Sequence, residues 1–331
     1  MCHSNTNRTA RIRILIIEGI QVDSSPNFGM LDQAMLTPFK FQKPTSPRKE
    51  TMIKAILGAT LLTLLIGCAT ATPRHQAQWL SPDYDKYFAD RKGCFLLYNM
   101  KTQVFDDVIG EDNCRERLPA CSTFKIALSV MAFDSGVLKD ENEILKWDGK
   151  KGFLPQHDRD HNAKTWLRDS VVWFSQRLTP QIGEAKLQKY LNDFNYGNKD
   201  LTAGITEAWL VRPNAEKPAL KISGYEQVEF MNNLWTDKLP ADSRAKRITR
   251  QISFLEYSPH GFKLSGKTGS NFYDDTHKIQ LGWFISHLQK EDREYIAVAN
   301  FSDLVPSNEP GYGGAQAKLI VKKILTDRGI W

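Results

Sequence analysis

The chain has 331 residues, 41% of them apolar and 25% charged, an ordinary globular make-up with room for one large domain or two smaller ones. Its net charge of +6 is spread along the sequence. The densest basic run, "RAKRITR" at 244–250, is interleaved with apolar residues and reads as the wet face of a helix, which speaks against a nucleic-acid partner.

Residues 53–66, "IKAILGATLLTLLI", are almost wholly apolar but short for a bilayer span, and they suit the apolar core of a signal peptide. Met52 stands directly before them and Lys54 supplies a minimal positive start. On this reading 1–51 is an upstream extension of the reading frame, 52–71 is the signal peptide and 72–331 is a single domain. The alternative is a genuine long leader that draws its positive charge from Arg48 and Lys49. Two processing routes compete: an Ala-x-Ala cleavage site at Ala69-Thr-Ala71, or a lipobox-like Leu65-Ile-Gly-Cys68 whose cysteine would be acylated. Both lead to the periplasm, with membrane contact only through a lipid anchor at Cys68 if that route is used. Past the leader stand Cys94, Cys114 and Cys121. A bridge from Cys114 to either of the others is open, and one thiol is left over.

The elements then follow in order. "GCFLLYNMKTQVFDDV" (93–108) reads as a β-hairpin turning at 99–103. "LPACSTFKIALSVMAF" (118–133) opens a helix with Phe124, Ala127, Leu128 and Met131 on one stripe, closed by Gly136. "WLRDSVVWFSQRL" (166–178) predicts one mostly buried helix, "PQIGEAKLQKYLNDF" (180–194) an amphipathic one, and "YEQVEFMNNLW" (225–235) another. Strands return at 260–272, 278–289 and 294–303, and an amphipathic helix at 315–329 closes the chain. Sheet pieces at both ends around a helical middle imply an α+β fold: one antiparallel sheet built from both chain ends, flanked by helices, with a helical second lobe and a cleft between.

Ser122 and Lys125 lie one helical turn apart, a spacing that puts a hydroxyl and an amine on one face. Spacing alone decides nothing, because Ser46-Pro-Arg-Lys49 and Ser243-Arg-Ala-Lys246 share it. What singles out Ser122 is the sequel: Ser170-Val-Val172, Tyr196-Gly-Asn198, Trp209-Leu210 and Lys267-Thr-Gly269, in that order. Each has a bland reading of its own, as helix cap, turn or core. The segment "HDRDH" (157–161) sets His157 and His161 four apart with carboxylates between, but it lacks a third ligand and reads as a surface loop, not a metal site.

The ordered set resembles the class D (oxacillinase-type) serine β-lactamases over nearly all of 79–331, including "PACSTFKIALSVMAFD", "DSVVWFSQRL" and "YLNDFNYGN". Class A would want Ser-Asp-Asn where this chain has Ser-Val-Val. The resemblance implies hydrolysis of penicillins through an acyl-serine on Ser122. Lys125 would be the general base as an N-carboxylated lysine, so carbon dioxide or bicarbonate is the only co-reactant. Ser170 would relay a proton to the leaving nitrogen. Lys267, Thr268, Gly269 and Ser270, with Tyr196 and Asn198, would bind substrate, and the backbone N–H groups of Ser122 and Ser270 would form the oxyanion hole. Trp209, Val172 and Leu210 would support the base, the valine and leucine by keeping its pocket apolar. Many relatives carry an Arg near the last helix for the substrate carboxylate; here the matching phrase is "GYGGAQAK" (311–318), with Gln316 in the expected place. Two rivals share the fold: a penicillin-binding peptidase, and an extracellular β-lactam sensor that stays acylated. Trp209 and Val172 favour hydrolysis over the peptidase.

Overall fold

The structure, a computed structural model, describes residues 83–152 and 154–331. The leader, Met52, Cys68 and the processing sites lie outside the described residues. The 93–108 hairpin forms as β1 (Arg91–Asn99) and β2 (Val104–Ile109), preceded by α1 (Asp83–Phe88). At the other end of the chain, β5 (Phe254–Tyr257), β6 (Lys263–Phe272), β7 (Gln280–Lys290) and β8 (Arg293–Asp303) complete a six-stranded sheet in the order β2-β1-β8-β7-β6-β5. Every adjacent pair is antiparallel, and β8 docks on β1 with Arg91 opposite Asp303. The sheet is therefore closed by both chain ends, as the sequence implies.

The central strands are buried on both faces, which is why they read as continuous apolar runs instead of alternating ones. Phe95 and Leu97 of β1 join Phe284, Ala299, Val321 and Ile324 in a core beneath α9 (Gly313–Asp327). Cys94 and Leu96, on the opposite face, join the larger core shared with the helical lobe. That lobe holds α3 (Phe124–Asp134), α4 (Ala163–Asp169), α5 (Val172–Ile182), α6 (Glu184–Asp193), α7 (Gly224–Trp235) and α8 (Ser243–Ile252). Cys94 pairs with Cys114, tying β1 to the short α2 (Glu111–Arg115). A crosslink across 20 residues stabilises the fold by about 3 kcal/mol.

Three expectations shift. The single helix over 166–178 is two, α4 and α5, broken at Ser170, which adopts a left-handed conformation (φ 61, ψ 35). Pro180 does not start the next helix. It rides inside the last turn of α5, where it forfeits one i→i−4 bond close to the helix end, and the chain turns at Gly183 (φ 85) instead. The 157–161 segment is not a surface loop in its side chains: His157 and His161 are both buried.

Candidate active site

A two-stranded ladder, β3 (Leu118–Pro119) on β4 (Lys221–Ile222), leads into a 3-10 turn at Cys121–Thr123 and then directly into α3. The turn is held from several sides. Ala120 donates its N–H to Leu220, the Trp283 indole donates to the Pro119 carbonyl (3.1 Å), and the Gln227 amide donates to the Thr123 hydroxyl (2.9 Å). Ser122 is left half-buried at the rim of this turn while its neighbours are buried.

Residues 124–133 of α3 are buried throughout, so Lys125 enters the core as part of an apolar helix and has no exposed surface. Its Nζ lies 3.0 Å from Ser122 Oγ. Burial, and then the charge of Lys267, hold the Lys125 amine well below the usual lysine range. A neutral amine at hydrogen-bond distance from a hydroxyl can accept its proton; an ammonium cannot.

The opposite wall is β6. Gly269 lets the strand lie close against the nucleophile's turn: a Cβ at this position would stand 3.1 Å from Cys121 Cβ and 3.2 Å from Thr123 Cγ2 and would crowd both. Lys267 is buried and its Nζ donates to the Thr268 carbonyl (2.9 Å). Burial lowers its pKa to about 7. Thr268 and Ser270 are half-buried. Ser270 Oγ accepts the Gly314 N–H (2.9 Å), which joins β6 to the start of α9. Ser170 is half-buried at the α4–α5 break.

The loop bearing Trp209 and Leu210 is pinned to β6 by Asn271, whose amide donates to the carbonyls of Leu210 (3.2 Å) and Val211 (2.9 Å). Trp209 is fully buried with its ring 5.2 Å from that of Phe124, the residue before Lys125. Its indole N–H is buried and has no hydrogen-bond partner. An orphaned buried donor is costly and calls for an acceptor. Leu210 packs half-buried against the main core, and Val172 is half-buried, its neighbour Val171 being the fully buried one.

A scan against protein families matches residues 81–326 to the penicillin-binding protein transpeptidase domain. The β-lactamase OXA-1 of Escherichia coli is 36% identical over 67% of this chain and 80% of its own length. OXA-48 of Klebsiella pneumoniae is 31% identical over 84% of this chain and 98% of its own. Among solved structures, the class D β-lactamase BAT-2 superposes with a TM-score of 0.65 at 28% identity, covering 75% of this chain and 96% of that one. The chain belongs to the class D serine β-lactamases. The C-terminal domain of the Bacillus licheniformis BlaR penicillin receptor is also similar, with a TM-score of 0.67 at 25% identity over 75% of this chain and 96% of that domain.

Within this class D site, several residues marked in the sequence stand elsewhere. Tyr196 is fully buried between Phe124 and Phe230, so its ring braces α3 and presents nothing to a ligand. Asn198 caps a turn: its side chain donates to Ala219 and accepts from Lys221 N–H, while Gly197 takes φ 54 against the Lys221 carbonyl. The Tyr-Gly-Asn string thus shapes the cleft from behind. Gln316 is buried and accepts from Arg91 (2.6 Å), which in turn pairs with Asp303, so it does not substitute for a carboxylate-binding Arg. The part of 311–318 that meets β6 is Gly314, where a Cβ would crowd the Gly269 carbonyl and Thr268 Cβ. Cys121 is free and buried, and burial pushes its thiol up to about 12, so it is no rival to Ser122. Among the described residues, no group of three or more His, Cys, Asp or Glu is arranged to hold a metal. Asn271, Trp283 and Gly314 were not legible as site residues, because each acts through backbone contacts that spacing does not encode.

Proposed function

We propose that the protein hydrolyses β-lactams of the penicillin type by a two-step acyl-serine mechanism. The observation that carries this reading is the Lys125 amine, buried and depressed in pKa, 3.0 Å from Ser122 Oγ. Ser122 Oγ attacks the lactam carbonyl as its proton passes to the base on Lys125. The C–N bond breaks, Ser170 delivers its proton to the leaving nitrogen, and the proton held by the base returns to Ser170, which leaves the base free again. Lys267 and Thr268 hold the substrate carboxylate, while the Ser122 and Ser270 N–H groups bear the oxyanion. Water then attacks the ester with the same base taking its proton; the acyl C–O bond to Ser122 breaks, and the base returns that proton to Ser122 Oγ.

Carbon dioxide fits this site: an unprotonated buried amine is the nucleophile that it needs, and the Trp209 N–H is a donor without an acceptor. A carbamate on Lys125 would supply a carboxylate-like base beside Ser122. Phe124, Leu210 and Val172, the last at the start of α5, would keep water from charging the amine. The Cys94–Cys114 bridge supports an oxidising compartment, which favours export to the periplasm through a signal peptide, with membrane contact through a lipid anchor at Cys68 only if the lipobox route is used.

Penicillin turnover measured with and without added bicarbonate, in the wild type and in Lys125→Ala, tests this. Bicarbonate should raise wild-type turnover, and Lys125→Ala should acylate slowly and fail to turn over. Insensitivity to bicarbonate together with turnover by Lys125→Ala would sink the carbamate. The likeness to the BlaR receptor domain supports a second reading, a sensor that stays acylated. It predicts one stoichiometric burst from the wild type and then silence.

A further inference from the structure

The "HDRDH" segment has no place in the chemistry above, yet its first histidine reaches the catalytic wall. His157 closes a short 3-10 turn (Pro155–His157) and is 3% exposed. Its Nε2 lies 3.0 Å from the carbonyl of Asp169, the residue immediately before Ser170. A carbonyl only accepts, so the ring donates there. From the other side of Ser170, the Trp173 indole donates to the His157 carbonyl (2.8 Å). One turn therefore clips the chain both before and after Ser170. Arg159, two residues on, adds an ion pair to the Asp169 carboxylate (2.9 Å).

Such clipping answers a physical need. Ser170 holds a left-handed conformation that a non-glycine residue adopts at a cost, and such a conformation persists only where surroundings over-determine it. The α4 helix ends there with the Ser170 N–H on the Trp166 carbonyl, which leaves the Asp169 carbonyl for an outside donor. We propose that His157 is a positioning residue for Ser170: its Nε2–H, held by the Trp173–His157 contact, fixes the turn that aims the Ser170 hydroxyl at the leaving nitrogen. This rests on the proton-relay reading of Ser170.

Proton delivery to the lactam nitrogen belongs to acylation alone, so the two half-reactions separate positioning from general stability. Stopped-flow measurement with a chromogenic cephalosporin, alongside thermal melting, gives both rate constants. His157→Leu, which keeps bulk but removes the donor, should slow acylation about tenfold or more and leave deacylation near the wild-type rate. His157→Gln, whose amide can donate to the same carbonyl, should recover most of the loss. Trp173→Phe removes the second clip and should slow acylation selectively by a smaller factor; it carries the test if His157→Leu does not fold. Ser170→Ala is the control. If Ser170→Ala acylates at the wild-type rate, the relay reading falls and the role of His157 with it. If Ser170→Ala is slow while His157→Leu and Trp173→Phe acylate normally, or lose both steps in parallel, the positioning role alone is overturned.

Discussion

Among the described residues, two Ser-x-x-Lys strings open helices, at α3 and at α8, and both lysines are buried. Their surroundings differ. Lys246 donates to the carbonyls of Asp237 (2.8 Å) and Leu239 (3.1 Å), and lies 3.8 Å from the Asp237 carboxylate. Ser243 is exposed and takes no part. Lys125 has the Ser122 hydroxyl at 3.0 Å and a second amine, Lys267, as its electrostatic neighbour. A buried ammonium surrounded by acceptors is a structural pin. One without them gives up its proton. Identical spacing thus yields a pin in one helix and a base in the other, and the deciding factor is the supply of acceptors.

The largest break in this contrast should come from the serines. Ser122→Ala should lose turnover on the order of 10⁴-fold or more and yield no covalent adduct by mass spectrometry, while Ser243→Ala should behave as wild type. Next come the lysines. Lys125→Ala should acylate slowly and stall as the acyl-enzyme, and the cavity it leaves in the core should lower its melting temperature. Lys246→Met should keep its kinetics and lose about 1–3 kcal/mol in denaturant unfolding, because two buried carbonyls lose their donor. The reverse pattern would mean that the roles are misassigned.

Trp209→Phe sharpens the comparison at the base itself. Without the indole donor, the bicarbonate concentration for half-maximal activity should rise about tenfold. An unchanged requirement would mean that the orphaned N–H serves something else.

The smallest effect is one of pH. With Lys267 at about 7 in the native state and near the ordinary value of 10.5 when unfolded, the unfolded chain binds the extra proton between those limits. Stability should therefore rise with pH across that window and fall as pH drops back through it. The cation that greets a substrate carboxylate is instead fullest below about 7. The KM for a penicillin should climb as pH rises through that value, and Lys267→Arg should flatten the climb. A flat wild-type profile would assign the carboxylate to another group.

Much of the frame was legible because it rests on period and punctuation: the β1–β2 hairpin, the stripe of α3, the three late strands and α9 all stand within a few residues of where the sequence puts them. The break at Ser170 was not, since neither Gly nor Pro marks it and the left-handed turn is imposed from His157 and Trp173, which packing alone brings near. Pro180 misled in the opposite sense by looking like a boundary. At the site, Ser122, Lys125 and Lys267 through Ser270 assemble as the motifs suggest. Tyr196 and Asn198 belong to the scaffold, because a motif's order along the chain does not say which way its side chains face.

The pairing of β1 with β8 has a consequence for how the molecule comes into being. Arg91 and Asp303 meet across 212 residues, and β8 lies between β1 and β7, so the last strand made fills the middle of the sheet. Contacts of such long range form late and slowly. Until β8 is paired, β1 and its hairpin have an open edge. The wall formed by β6 beside Ser122 therefore belongs to a sheet that is closed only once β8 has paired with β1.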